Sequence, residues 1–152
     1  MGQNMAYIEN VPLFKSLQEY ELRILAAHLH LRKFSEGETV ISEGEKSTDL
    51  YIIIDGHAKV VLKRQKAEDI IIDELGPGQF FGEMGLLDGK PRSADIVCLT
   101  DCNMFCLERE DFNEVVKRNP SILLSLIIEL CDRLRRANDM IKGVNISQMY
   151  IY

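Results

Sequence analysis

Between Phe80 and Asp95 the chain reads FFGEMGLLDGKPRSAD, and these residue types at this spacing point to one kind of chemistry. Gly82 and Gly85 flank Glu83 and Met84 in FGEMGLL, which predicts a single helical turn after a strand. The first N–H groups of such a turn lack partners within it and face whatever lies at its start, which favours an anion. Arg92 follows Glu83 by nine residues, beyond a turn at DGKP, so its guanidinium is able to fold back over the same spot. Helix N–H groups and one guanidinium together suit one phosphate. Glu83 repels a bare polyphosphate, yet as a pure acceptor it suits a sugar hydroxyl beside a single phosphate. A ligand with one negative charge and a neighbouring hydroxyl meets both demands. On the residues alone, a plain Glu83–Arg92 ion pair across the loop competes with that reading.

Two better-known phosphate loops are excluded by spacing. Gly76, Gly78 and Gly82 give G-x-G-x-x-x-G, one residue too long for the dinucleotide fingerprint and without a parallel βαβ setting. Gly85 to Lys90 gives G-x-x-x-G-K, one residue short of a P-loop, with Pro91 where Ser or Thr must hold magnesium. No nucleophile–base set and no catalytic metal cluster is visible, so the expectation is a non-enzymatic binding protein with no cofactor.

The elements that must position Glu83 and Arg92 fall into three parts of one expected domain, 1–152. Its 152 residues, 46% hydrophobic and 28% charged, suit a globular core. In the N-terminal part, 1–32, PLFKSLQEYELRILAAHLHL at 12–31 predicts an amphipathic helix, capped by Ser16 with Glu19 as capping-box partner. From 33 to 108 the texture is β: eight of the ten glycines lie between Gly37 and Gly89, among short β-branched runs. Asp55-Gly56 is the strongest hairpin signal, and SEGE, at 35–38 and 42–45, marks two turns. Short strands at this spacing predict a small antiparallel jelly-roll barrel that closes its own edges. From 109 to 147 helix returns: a short one stopping at Pro120, then a long one that Ser121 caps. On the long helix Leu123, Ile127, Leu130, Leu134, Ala137, Ile141 and Val144 alternate at spacings of four and three, a coiled-coil seam that predicts a homodimer.

Charge and composition narrow the partners. A net charge of −6 opposes direct binding to nucleic acid, and DRLRR at 132–136 reads as a solvated helix face. Cys98, Cys102 and Cys106 are four apart, but without nearby histidines they read, with Cys131, as reduced cysteines rather than a metal site. ILLSLII at 122–128 is too short to cross a membrane, and the N-terminus carries neither a signal peptide nor a myristoylation pattern, so a cytoplasmic protein is expected.

FFGEMGLLDGKPRSA closely resembles the phosphate-binding cassette of cyclic-nucleotide-binding domains, as in the catabolite-activator (CRP/FNR) family, cyclic-nucleotide-dependent kinases and gated channels. The likeness extends over nearly the whole chain, through PLFKSLQEYELRILAAHL, GETVISEGEKSTDLYIIIDGHAKVVL and the long C-terminal helix. It implies a jelly roll with N-terminal helices and a C-terminal dimer and lid helix, with the cassette at 80–94. It implies that Glu83 accepts from the ribose 2′-hydroxyl, that Phe81, Gly82, Met84 and Gly85 form the cassette backbone, and that Arg92 pairs with the cyclic phosphate. Ser93 then adds a hydroxyl to phosphate or purine, Val60 and Ile72 line the purine, and Ala137 and Asn138 approach the base from the long helix. Ala137 lacks a hydroxyl that some members of the family use there.

The function so implied is a sensor of a cyclic mononucleotide, cAMP or cGMP, that acts as an allosteric ligand and moves the C-terminal helix. Two alternatives accompany it. One is the N-terminal sensory part of a CRP/FNR-type transcription regulator without its helix-turn-helix domain. The other is a version of the fold turned to dimerisation, haem or redox sensing.

Overall fold

A computed structural model of the chain describes residues 2–143. Helix α1 (Gly2–Ile8) and a 3-10 turn (Pro12–Phe14) precede α2 (Glu19–His28). Eight strands follow: β1 (His30–Phe34), β2 (Thr39–Ile41), β3 (Leu50–Asp55), β4 (Ala58–Leu62), β5 (Ile70–Leu75), β6 (Phe80–Phe81), β7 (Asp95–Cys98) and β8 (Cys102–Leu107). Helix α3 (Glu83–Asp88) interrupts them between β6 and β7, and α4 (Arg109–Arg118) and α5 (Ile122–Gly143) complete the described chain.

The strands form two antiparallel sheets, ordered β1-β8-β3-β6 and β2-β7-β4-β5. That alternation between sheets is jelly-roll topology, as the sequence predicts. The barrel is not closed, however, and β1 and β6, β2 and β5 remain sheet edges. Burial follows the pleat. On β3 and β8, Tyr51, Ile53, Cys102, Met104 and Cys106 face the interior with Ile41, Ala58, Leu75 and Ile96 of the other sheet. Leu50, Ile52, Phe105 and Leu107 point the other way, into a second core built with the helices. A strand apolar on both faces has no polar alternation, which explains the unbroken LYIII.

The Asp55-Gly56 turn forms, but it is not a hairpin. It carries the chain from one sheet to the other, so β3 pairs with β6 and β8 while β4 pairs with β5 and β7. Gly56 sits at φ 89°, and a Cβ there would lie 2.3 Å from the Asp101 carbonyl and 2.7 Å from Cys102 Sγ. The two SEGE segments are near-copies of one turn. In each, the Glu side chain accepts from the Ser N–H at 3.0 Å: Glu38 from Ser35, Glu45 from Ser42. The Glu36 and Glu43 N–H groups donate to Asp101 and Asp95, and the Gly37 and Gly44 N–H groups to the carbonyls of Cys98 and Arg92. The second turn thereby fixes the backbone of Arg92, whose own N–H donates to Glu45 O at 2.9 Å.

Both expected serine caps give way to neighbours. The helix expected over 12–31 begins only at Glu19, capped by Gln18, whose N–H donates to Glu21 at 2.7 Å, and ends at His28; Pro12–Phe14 form the 3-10 turn and His30 opens β1. Before α5, the Ser121 N–H and hydroxyl both donate to Asn119 Oδ1, while Asn119 Nδ2 reaches Glu21 and the Ser16 carbonyl. Helix α1, which the sequence reading missed, buries Ile8 and sets Tyr7 edge-on to Phe105 at 6.3 Å.

The cysteines do not share one strand: Cys98 lies on β7, Cys102 and Cys106 on β8, and Cys131 is exposed on α5. Burial pushes the Cys98 thiol up to about 12 and Cys106 up to about 11, so both stay protonated and inert at neutral pH. Among the described residues no three His, Cys, Asp or Glu side chains gather to hold a metal, and no helix is long and apolar enough to cross a membrane.

The expected seam on α5 splits. Leu123 and Leu130 pack against the helical core, whereas Ile127, Leu134 and Ile141 are exposed, and Val144 lies outside the described residues. Spacings of four and three spread those residues across the boundary between the docked and the open side of the helix. The open side instead carries Leu124, Ile127, Cys131, Leu134 and Ile141.

Replacing Gly56 by Ala is expected to destabilise the fold by at least about 2 kcal/mol, from strained backbone plus the clash with Asp101. The denaturant midpoint checks this, with Gly37→Ala as comparison, since a Cβ at Gly37 meets nothing within 4 Å.

Candidate ligand-binding site

Four charged side chains are buried in the described structure: Glu21, Glu83, Arg92 and Asp95. Three of them fall in or beside the 80–95 segment, so the chemistry concentrates there. Gly82, at φ 87°, ends the approach from β6 and opens α3, which places Glu83 in the first turn. Arg92 then returns across α3 after the turn at Gly89. Its Nε donates to Ser47 Oγ at 2.9 Å, Nη1 to the Gly82 carbonyl at 3.0 Å, and Nη2 to the Asp49 carbonyl at 2.8 Å. The two glycines exist to admit it. A Cβ on Gly82 would lie 2.7 Å from Arg92 Nη1 and one on Gly85 3.3 Å from the same atom.

Arg92 is 4% exposed, and among the described residues it forms no ion pair. Its acceptors are all neutral. The expected alternative, a Glu83–Arg92 pair, is therefore not what the chain builds. Glu83 is engaged instead by Arg133 of α5, Nη1 to Oε1 at 2.9 Å. Arg133 also donates to the Phe80 carbonyl, bridges to Glu129 at 3.0 Å and lies 4.8 Å over the Phe80 ring. This corrects the reading of DRLRR as a solvated face: Arg133 is 17% exposed and ties the long helix to the cassette. Arg136 bridges to Asp73 on β5 at 3.1 Å. Sequence reasoning missed both because their partners lie 50 and 63 residues away. Only the Glu129–Arg133 spacing of four was locally legible.

These groups line a cavity of about 480 Å³ between the β2-β7-β4-β5 sheet, α3 and α5. The volume falls within the roughly 300–1,000 Å³ of small-molecule sites. Phe81, Gly82, Glu83, Met84, Gly85, Arg92 and Ser93 form one wall, with the Ser93 hydroxyl 3.4 Å from Met84 Sδ. Val60 and Ile72 lie on the sheet side, with Ile41, Leu62, Leu75 and Ile96. Helix α5 contributes Leu130, Arg133, Leu134, Arg136 and Ala137. Asn138 is not among the lining residues. One residue beyond Ala137 turns about 100° around the helix, which carries Asn138 to the open side between Leu134 and Ile141.

Asp95, next to the cassette, anchors its far end. Burial acts to raise its carboxyl, but the hydrogen bond from Lys63 at 2.8 Å, that from the Glu43 N–H at 2.7 Å and the Lys63 charge outweigh it and hold Asp95 below its ordinary value.

A jelly roll whose cavity presents a buried, carboxylate-free guanidinium beside a carboxylate defines an anion-ready ligand-binding module. Residues 31–119 match the family described as "Cyclic nucleotide-binding domain", and the chain belongs to that family. It is 36% identical over 118 residues to the cAMP-activated global transcriptional regulator CRP of Haemophilus influenzae, covering 77% of this chain and 53% of that protein. The crystal structure of Thermus thermophilus Catabolite Activator Protein superposes with TM-score 0.76 at 30% identity, covering 86% of this chain and 62% of that one. The regulatory domain of Toxoplasma gondii PKA, co-crystallised with cAMP, gives TM-score 0.69 at 30% identity, covering 77% and 46%. The chain spans about half the length of the curated relatives it matches.

Because the Asp95 carboxyl is depressed on folding, its stabilisation is complete above the unfolded value, about 3.9, and is lost as pH falls through the lower folded value. Urea unfolding across that acid range is expected to show a smaller loss for Asp95→Asn than for the unaltered chain. Equal losses contradict the assignment.

Proposed function

We propose that this chain is a non-enzymatic sensor of a cyclic mononucleotide, cAMP or cGMP, taken as an allosteric ligand. The observation that carries the proposal is Arg92. A guanidinium 4% exposed and satisfied only by neutral acceptors keeps its full charge in a desolvated place, which costs several kcal/mol unless an anion arrives. One cyclic phosphate carries one negative charge. Arg133 takes Glu83 Oε1, and a carboxylate has acceptor sites to spare for a ribose 2′-hydroxyl. The apolar walls at Val60 and Ile72 suit a base, and Ser93 stands at the phosphate end. The relatives named for cAMP support the ligand class.

The output runs through α5. Arg133 binds Glu83 and the Phe80 carbonyl, so a hydroxyl placed on Glu83 changes what the helix holds. A ligand that favours one helix position over another shifts their populations by that difference in affinity. A second copy of the chain supplies the partner for the open side of α5, where Leu124, Ile127, Leu134 and Ile141 are each more than half exposed. In that arrangement Asn138 faces its own copy rather than the base. The chain's −6 charge leaves any contact with DNA to a further domain or partner.

Calorimetric titration tests the ligand: a cyclic mononucleotide is expected to bind, and Arg92→Ala to lose roughly 2–5 kcal/mol of affinity. Absence of binding by cAMP and cGMP, or an unchanged affinity in the variant, contradicts the proposal. Sedimentation tests the assembly: the unaltered chain is expected to be a dimer and Ile127→Glu a folded monomer. A monomeric unaltered chain removes the second copy from the account.

A further inference from the structure

The cavity holds one polar feature that phosphate and ribose do not use. On the wall formed by Val60, Leu62, Ile72, Leu134 and Ala137, Asp73 of β5 and Arg136 of α5 pair at 3.1 Å, and both line the cavity. Sheet register places this pair relative to the Arg92 segment. Asp73 is level with Val60, and Val60 with Ile96. Two strand spacings, about 10 Å, separate Asp73 from Ile96, and Arg92 lies in the segment that leads into β7. The Asp73–Arg136 pair and Arg92 therefore line separate parts of one cavity, with strand β4 between β5 and β7. With phosphate at Arg92, as in the function proposed above on which this inference rests, the base arrives at Asp73 and Arg136.

The geometry points to Asp73 and Arg136 as the pair that reads the base, with guanine as the base that matches them. Guanine offers O6 and N7 as two adjacent acceptors, which a guanidinium takes bidentately. Its N1–H and 2-amino group offer two adjacent donors, which the two oxygens of one carboxylate accept. Adenine offers one amino group and isolated ring nitrogens, so each side chain makes one contact where guanine gives two. The pair is free to open for a ligand. Its side chains are 46% and 27% exposed, where an ion pair contributes little, and Glu129, 3.8 Å from Arg136, remains as a second carboxylate for the guanidinium. A buried, well-packed latch between sheet and helix has neither property.

Competition binding on the whole chain with cyclic GMP, cyclic AMP and cyclic IMP tests this. Cyclic IMP keeps O6, N1–H and N7 but lacks the 2-amino group. The unaltered chain is expected to bind cyclic GMP about tenfold or more tighter than cyclic AMP, with cyclic IMP between them. Asp73→Ala is expected to shrink the preference for cyclic GMP over cyclic AMP about threefold or more, because guanine loses two contacts and adenine one. Because the preference is a ratio within one protein sample, a partly unfolded variant does not mimic the result, and the three-ligand ranking needs no variant. Cyclic AMP binding as tightly as cyclic GMP overturns the inference alone, as does Asp73→Ala weakening both nucleotides equally. Failure of all three to bind the unaltered chain overturns the underlying sensor function as well.

Discussion

The rest of the structure is arranged around a buried guanidinium with no carboxylate. Arg92 is held by a hydroxyl and two carbonyls, which fix its direction without neutralising it. Each neighbouring feature makes sense as a support for that one group. The second SEGE turn grips its backbone on both sides, N–H and carbonyl. Gly82 has a left-handed backbone, and a Cβ there would lie 2.6 Å from the Asp49 carbonyl and 2.7 Å from Arg92 Nη1; at Gly85 it would lie 3.1 Å from the Ser47 carbonyl and 3.3 Å from Nη1. Asp95, pinned by Lys63 and the Glu43 N–H, ends the segment at the start of β7. A buried charge whose acceptors are all neutral is costly to the fold, and in the function proposed an anion offsets that cost, so the same arrangement that costs stability contributes to affinity.

Helix α5 is the second element that the cassette commands. One side of it docks Ile122 and Leu126 into the helical core, and a turn or two further on Arg133 reaches Glu83 and Phe80. The open side carries Leu124, Ile127, Leu134 and Ile141 exposed, with no partner among the described residues. Helix α5 thus touches Glu83 through Arg133 on one side and leaves apolar side chains exposed on another, the two contacts on which the proposed coupling of occupancy to assembly rests. The coupling proposed needs no long pathway, because Arg133 of the helix touches Glu83 directly.

What the sequence revealed and what it hid divide along the range of the interactions. Most strands, the α3 turn, the two SEGE turns and the Glu83–Arg92 spacing are encoded within a few residues, and they were legible; β1 was not, since HLHL at 28–31 reads as the end of the preceding helix. Asp55-Gly56 was misread as a hairpin because a turn fixes only its own dihedrals; the partners of LYIII are chosen by a core on each face. Ser16 and Ser121 looked like caps; Asn119 displaces the second through Glu21 across 98 residues, whereas Gln18 displaces the first through Glu21 only three residues on, a competing local signal that spacing does not rank. Arg133 was lost inside DRLRR for the same reason, its partner standing 50 residues upstream. Of the expected seam, Leu123 and Leu130 go to the core and Ile127, Leu134 and Ile141 stay exposed, because the apolar period of α5 serves two surfaces at once and periodicity alone does not say which residues the core claims.

The central claim is that the site is built for a single negative charge beside a hydroxyl, and one measurement addresses it directly. Equilibrium binding of a 3′,5′-cyclic mononucleotide is compared with that of the linear 5′-monophosphate of the same nucleoside, which has the same base and sugar but a second charge at neutral pH. One uncompensated guanidinium next to Glu83 predicts that the cyclic monoanion binds and that the linear dianion binds at least about a hundredfold more weakly, in line with like-charge repulsion across a desolvated site. Equal affinities, or a preference for the linear form, would contradict the account.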